Sequence, residues 1–360
     1  MINPATTLQV HSVKALPVLP EIIDEQSVVI EPLVIANVNS SRNDWSSFEA
    51  ARSFARHPLV HGSILSDAFD AWSTECQERF NTLKSNEAEL NRIFARIYNM
   101  EGEVPIEVPD DKVSVRLADR KRDVKSLISY AVGCILGRYS LDVDGLVLAD
   151  QGSTISDYLA KVPNPTFMPD EDGILPITEE EWFPDDIVTE FDAWLKAAFG
   201  EEHFAENLAY IEEALGCKVR EYFVKGKKSP FYDDHCKTYS VTGSGKRPIY
   251  WMFSSPKGSF NCLVYLHRYD ERTVSTILTD YVRDLRRRLE VQARGFEASE
   301  IAQERARADR YHDIIDELSD WERDVLYPMA QKHIAIDLDD GVRHNYKLFP
   351  GALRKVSGLS

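Results

Sequence analysis

The stretch KRPIYWMFSSPKGSFNCLVYLHRYD, Lys246–Asp270, decides how the rest of the chain is read. Along an extended backbone Ile249, Trp251 and Phe253 fall on one side and Tyr250 and Met252 on the other. After a turn at Ser255–Ser259, Phe260, Cys262, Val264 and Leu266 share a side, and Leu263 and Tyr265 oppose them. Apolar residues on both sides predict a β-hairpin buried on both faces, with the polar tip SSPKGS in solvent. Cations stand at its margins: Lys246 and Arg247 before the first strand, Lys257 at the tip, His267 and Arg268 after the second.

Around this hairpin the spacing is mostly helical. Downstream, Val274, Ile277, Leu278, Tyr281, Val282, Leu285 and Leu289 form one stripe. After a break around Gly295–Ser299 a second helix runs back through Ile301, Tyr311, Ile315, Leu318, Trp321 and Val325. Together they predict a long C-terminal antiparallel helical hairpin, followed by a short strand or turn and a last helix. Upstream, Leu65, Phe69, Trp72, Cys76, Phe80, Leu83, Leu90, Phe94 and Ile97 mark a helix over about 63–99. A shorter helix is expected in NDWSSFEAARSFARH, capped by Asp44, and others over 123–136, 185–199 and 203–215, with Gly200 ending the penultimate one. Residues 150–184, with five prolines, read as loop, and residues 1–40 as short strands and extended linker.

The expected fold is therefore α+β and mainly helical: helical regions around a small β-hairpin or sheet. In chain order the divisions are 1–40, the tail of a preceding region plus linker; 41–160, helical; 161–216, loop and acidic helices; 217–270, basic segment and hairpin; and 271–360, helical hairpin and C-terminal helix.

The 360 residues carry a formal net charge of −17, which argues against wholesale wrapping of nucleic acid. The average hides a contrast. Residues 169–213 hold 15 acids against one lysine, whereas 218–257 hold nine Lys or Arg against three acids, so the local field of the second segment can still meet phosphate. Cys76, Cys134, Cys217, Cys236 and Cys262 are scattered, with no CxxC pair, which suits reduced thiols in a cytoplasmic protein. No apolar run has the length of a membrane span, and no secretion signal is read at the start.

Motifs that carry chemistry are incomplete. GSGK, Gly243–Lys246, lacks the spacing of a phosphate loop and has Arg247 where Ser or Thr belongs. IDLDDGV offers Asp337, Asp339 and Asp340, but its glycine comes one residue early for a calcium loop, so a capped turn is the simpler reading. His235–Cys236 has no second pair at metal-ligand spacing. No metal site is expected.

Five phrases, NEAELNRIFARIYNM, LISYAVGCILGRYSLD, RPIYWMFSSPKGSFNCLVYLHRY, DWERDVLYPMA and IDLDDGVRHNY, occur in the order found in one family. Over nearly its whole length the chain resembles the C-terminal part of the BREX phage-defence adenine-specific DNA methyltransferases (PglX), related to type IIG restriction-modification enzymes. The resemblance implies a C-terminal piece whose opening, INPATTLQVHSVKALPV, is the last strand of a target-recognition region. It further implies DNA, the catalytic half and other BREX proteins as partners, and S-adenosylmethionine as the parent family's cofactor, with none held by this chain. The family holds its flipped adenine with an Asn-Pro-Pro-Tyr type motif. The nearest match here, NPTF (Asn164–Phe167), has Thr in place of the second Pro and no glycine-rich strand-to-helix turn before it. No catalytic residue is assigned, and the chain alone is expected neither to bind S-adenosylmethionine nor to methylate DNA.

What remains is binding. Lys246, Arg247, Lys257, His267 and Arg268 are the candidate DNA contacts, since Lys and Arg can hold phosphates and Arg can read guanine. Two readings stay open: phosphate contact, or an internal salt bridge for Arg268 with merely solvated lysines. At the level of function, a DNA-gripping module of a methyltransferase stands against a non-catalytic scaffold that docks other defence-system subunits.

Overall fold

The computed structural model describes residues 19–241 and 245–359. The chain divides into two compact units: described residues up to Trp45 with Ser73–Ala118, and Ser46–Trp72 with the described residues from Asp119 onward.

The first unit contains helix α1 (Pro20–Ser46) up to Trp45 and most of α2 (Leu65–Ile97). The strand reading of residues 20–40 is corrected here, because SVVIEPLVIA is helical; residues 1–18, and with them the proposed terminal strand, lie outside the described residues. A helical period lies beneath the β-branched composition. The less exposed positions of α1 up to Asp44 are Ser27, Ile30, Leu33, Ala36, Asn37, Ser40 and Asp44, three or four apart but for the adjacent Ala36 and Asn37. Pro32 removes one helical N–H donor, the bond that would reach the carbonyl of exposed Val28. Asn37 accepts from the Asn86 side chain of α2 at 2.9 Å, and Phe80, Leu83 and Val115 form a small apolar cluster. The helix expected after Asp44 is also corrected: residues 47–63 are turns. Buried Asp44 does not cap a helix; its carboxylate takes the Arg116 backbone N–H and Nε, each at 3.1 Å.

The second unit is built on α3 (Arg120–Ile135), buried along most of its length. Asp119 caps it by accepting the Arg122 N–H at 2.7 Å. Gly133 has no substitute in α3, since a Cβ there would lie 2.5 Å from the Tyr139 ring. The interval read as loop contains α4 (Ile155–Lys161) and strand β1 (Ile174–Ile177), so the loop expectation over 150–184 is corrected in those places. ILPI is too short, and too free of polar alternation, to declare itself as a strand. Helices α5 (Ile187–Phe199) and α6 (Phe204–Leu215) fall where their spacing predicts, with Gly200 between them at φ 92°. Fully buried Asn207 of α6 accepts the Leu65 N–H at 2.8 Å and donates to the Ser63 carbonyl, so it satisfies the start of α2. Short helices α7 (Val219–Phe223) and α8 (Pro230–Thr238) lead to a small ribbon, β2 (Ser240–Val241) with β3 (Gly245–Lys246).

The hairpin is present as β4 (Tyr250–Ser254) and β5 (Asn261–Tyr265), with Trp251 opposite Val264. Strand β1 adds antiparallel to β5, giving the order β1-β5-β4. The outer edge of β4 is covered by the C-terminal segment, where the Ser254 N–H donates to Ala352 and the Arg354 N–H to Met252, both at 2.9 Å. Trp251 is fully buried, edge-on to Tyr346 and Phe349. Below the sheet runs the helical hairpin. Helix α9 (Thr273–Thr276) continues through a π-helical segment (Ile277–Val282) into α10 (Arg283–Glu297). Helix α11 (Ala302–Trp321) likewise passes through a π segment (Glu322–Leu326) into α12 (Tyr327–Ala330). Glu322 ties the two arms by accepting from Arg283 at 2.8 Å and Arg286 at 2.5 Å. The last helix, α13, is a single turn (Val342–Tyr346).

Candidate nucleic-acid interface

The tip of the β4–β5 hairpin is held from below. The Gly258 N–H closes on Ser255 O at 2.9 Å, and Phe260 N–H and Ser255 Oγ lie 3.1 Å apart. Buried Glu317 of α11 accepts the Lys257 N–H at 2.5 Å and also the Ser259 hydroxyl. Pro256 and Lys257 alone of the tip face solvent fully, so Lys257 leaves a fixed base with its ammonium free. Against the tip lies the turn of KGKK, closed by reciprocal Lys225–Lys228 backbone bonds of 2.9 and 3.1 Å. The two turns touch: a Cβ on Gly258, at φ 80°, would sit 3.3 Å from the Lys227 Cα. Lys227 and Lys228 are exposed, and among the described residues neither they nor Lys257 form an ion pair.

Beside the KGKK turn lies α8, whose own charges are Asp233, Asp234 and Lys237. Arg354 donates to the Lys227 carbonyl at 3.0 Å and reaches Asp233, in the first turn of α8, at 3.4 Å. Lys246, on β3, follows the end of that helix. Burial pushes the Cys236 thiol of α8 up to about 11, and Lys246 stands at that end of the helix, opposite Ser240 of β2, whose hydroxyl donates to the Cys236 carbonyl at 2.6 Å. Arg247 is exposed, fixed by its backbone N–H to the Tyr239 carbonyl at 2.7 Å. His235 holds the same corner by accepting the Ile249 and Tyr250 N–H groups on Nε2 at 3.2 and 3.3 Å. Burial lowers its pKa to about 3, so it stays neutral and able to accept.

The remaining two candidates sit elsewhere. Arg268 turns inward: its guanidinium donates to the Asp170 carbonyl at 2.8 Å and the Glu171 carbonyl at 2.5 Å, and packs over Gly173, which has φ 75°. It thereby fixes the loop that leads into β1. His267 is half-buried; burial first, and then Arg138, lower its pKa to about 4, so it carries no charge near neutrality. The structure thus joins Lys257 with Lys246 and Arg247 along one strip, through Lys227, Lys228 and Arg354. Arg268 and His267 point into the fold. Lys227 and Lys228 were visible in the sequence as part of the basic segment. Arg354 carried no signal, because only the return of the C-terminus to β4 brings it there.

The other sequence features have structural occupations. Thr166 of NPTF bonds Asp142 through both its N–H, at 2.9 Å, and its hydroxyl, at 2.5 Å. Asp337 accepts the Asp339 N–H at 2.9 Å and caps a 3₁₀ turn (Leu338–Asp340). Gly243 and Ser244 lie outside the described residues. Among the described residues no group of three His, Cys, Asp or Glu is arranged to hold a metal, and no helix is long and apolar enough to cross a membrane.

No family model matches the chain. It is 36% identical over 373 residues to the adenine-specific methyltransferase PglX of Lacticaseibacillus casei (strain Zhang), a match covering 96% of the chain and 29% of that protein. It is 33% identical over 372 residues to the adenine-specific methyltransferase BrxX of Escherichia coli O9:H4 (strain HS), covering 92% of the chain and 30% of that protein. The chain spans about three tenths of the length of these relatives.

Proposed function

From the premise that the chain is homologous to part of the adenine-specific methyltransferases PglX and BrxX, we propose that it is the C-terminal DNA-gripping module of such an enzyme in BREX phage defence. Methyl transfer from S-adenosylmethionine belongs to the part of those relatives that the chain does not span. The observation that supports this reading is the strip of Lys227, Lys228, Lys257, Lys246 and Arg247. In a chain of net charge −17, where about half of the cations are paired with carboxylates, these five make no ion pair among the described residues. Unpaired cations on a fixed base suit phosphate contact, which positions a duplex without reading its sequence.

The test is DNA affinity measured at several salt concentrations, with the chain joined to its catalytic half. Removing Lys246 and Arg247 together by alanine should weaken binding similarly on unrelated duplexes and flatten the log–log salt slope by about one to two units. A loss confined to some sequences would point to base reading by Arg247 instead. An unchanged slope in a folded double variant would favour the scaffold reading. That second reading draws on the outward side of α1, where Val28, Ile35 and Val38 stand in solvent, a surface suited to another subunit of the defence system.

A further inference from the structure

Between the hairpin tip, the KGKK turn and the helical hairpin lies a pocket of about 360 Å³. That is within the size range of small-ligand sites, roughly 300–1,000 Å³. Its apolar floor is Leu285, Leu289 and Ile314, and Trp182 stands beside it, edge-to-face with Tyr311 at 5.7 Å. A T-shaped pair cannot cover both faces of either ring, so a half-buried Trp182 keeps stacking surface.

The polar groups divide into spent and unspent. Glu179 is occupied by Arg310 and by the Gly226 N–H at 3.0 Å. Glu180 takes the Tyr311 hydroxyl at 2.7 Å and Arg307 at 2.8 Å. Glu317 is committed to the tip. Asp313 makes no ion pair among the described residues, and neither do Lys227 and Lys257. Among the described residues Glu317 has no cation partner, so Lys227 and Lys257 stand against Asp313 and Glu317 and the unpaired charges balance, above an apolar and aromatic floor. The cations stand on the two turns and the carboxylates on α11, a division that fits a ligand with an anionic end and a flat apolar body that carries a hydrogen-bond donor. It fits a bare anion poorly, since the floor would be unused.

We propose that this pocket takes one unstacked nucleotide of a DNA strand. The base lies against Trp182 over the leucine floor, Asp313 is placed to accept from an exocyclic amine, and the phosphate sits between Lys227 and Lys257. The biological occupant rests on the DNA reading above; the chemistry of the pocket does not. Lys227 and Lys257 belong to both the strip and the pocket, so a strand followed along the strip arrives at the pocket mouth. Base stacking on an aromatic ring is tolerant of sequence, so Trp182 can hold any unpaired base, while Asp313 favours those that carry an exocyclic amine.

The experiment uses calorimetry on the 360-residue chain with deoxyadenosine 5′-monophosphate, inorganic phosphate and deoxyadenosine as probes. The nucleotide should bind at least about tenfold more tightly than either fragment, and Trp182→Leu should remove about tenfold of that affinity, the scale of one stacked base. Trp182→Tyr keeps a ring and should retain most of it, which separates stacking from damage to the fold. In parallel, duplex DNA is compared with the same duplex carrying a short single-stranded overhang. Trp182→Leu should abolish the preference for the overhang and leave duplex binding intact, whereas Lys246→Ala with Arg247→Ala should do the reverse. Equal binding of phosphate and nucleotide, or indifference of both nucleotide and overhang to Trp182→Leu, overturns the pocket assignment while the duplex salt slope still stands for the DNA reading. Nucleotide binding that depends on Trp182, with no duplex binding at all, overturns the DNA reading and keeps the pocket.

Discussion

SVVIEPLVIANV in α1 and IYWMF in β4 are both rich in residues that favour strands, yet they end in opposite states. The first is a helix with Val28 83% exposed and Ile35 59% exposed. The second is a strand with Tyr250, Trp251, Met252 and Phe253 all fully buried. Strand propensity is a preference for a pleated, half-buried surface, and it is expressed only where partner strands exist. β4 has β5 on one side and the returning residues 352–354 on the other. In the unit that contains α1, no strand lies among the described residues. There the backbone satisfies itself by helical hydrogen bonds, and Ile30 and Leu33 turn inward at helical spacing.

Substitutions can break or sharpen this contrast. The largest effect should come from Trp251→Ala, which empties a space walled by Tyr346 and Phe349; about 3–5 kcal/mol of stability should be lost, visible as a lower denaturant midpoint. A change below about 1 kcal/mol would mean that the sheet centre is not the packed region described here.

Next comes Glu317→Ala, which leaves the Lys257 N–H and the Ser259 hydroxyl without their acceptor. About 1–3 kcal/mol should be lost. Amide exchange at Lys257 should accelerate, since the tip would lose its anchor.

A smaller effect, of opposite sign, should follow from Asp170→Asn. Burial, and then the neighbouring Asp172, raise the Asp170 carboxyl well above its usual range. An acid whose folded pKa is raised contributes stability that is complete below its unfolded value. That contribution is lost as pH rises from about 4 through the raised value. The native protein should therefore lose stability over that window, and the asparagine variant should lose less. Thermal melts between acid and neutral pH read the difference; parallel curves would mean that folding leaves the carboxyl's pKa unchanged.

The smallest effects belong to α1. Val28→Thr and Ile35→Thr should each change stability by less than about 0.5 kcal/mol in the isolated chain. A cost as large as that of Glu317→Ala would show that the outward side of α1 is covered, and the contrast with β4 would fail.

Much of the fold was legible. Long helices declare themselves by a stripe repeated over many turns, and α2, α5, α6 and the C-terminal helical hairpin fall where Leu, Phe and Trp recur. The hairpin was legible because five consecutive apolar residues in an otherwise acidic, helical chain have few alternatives. β1 was not, because ILPI reads as strand only once β5 lies beside it. The turns after Asp44 were not either, because a cap-like aspartate looks the same whether it receives a helix N–H or the Arg116 guanidinium. Of the candidate contacts, the cations before the first strand and at the tip were placed by the hairpin pattern itself. The inward turn of Arg268 was not, since its acceptors are backbone carbonyls of residues 170 and 171, about a hundred positions away in the chain.

By itself, the sequence determined which segments are helical by long periodicity, where the buried hairpin lies, and that positive charge gathers in 218–257. Those properties depend on neighbours within a few residues, or on composition. Tertiary structure alone decided which cations stay unpaired and which are consumed. The carboxylate or carbonyl that accepts from an arginine is chosen by the packing of distant segments: Glu322 for Arg286, Asp186 for Arg220, the 170–171 carbonyls for Arg268. Lys227, Lys228, Lys257, Lys246 and Arg247 form no ion pair among the described residues, and the strip they form exists only because α8, the hairpin tip and the C-terminal segment meet.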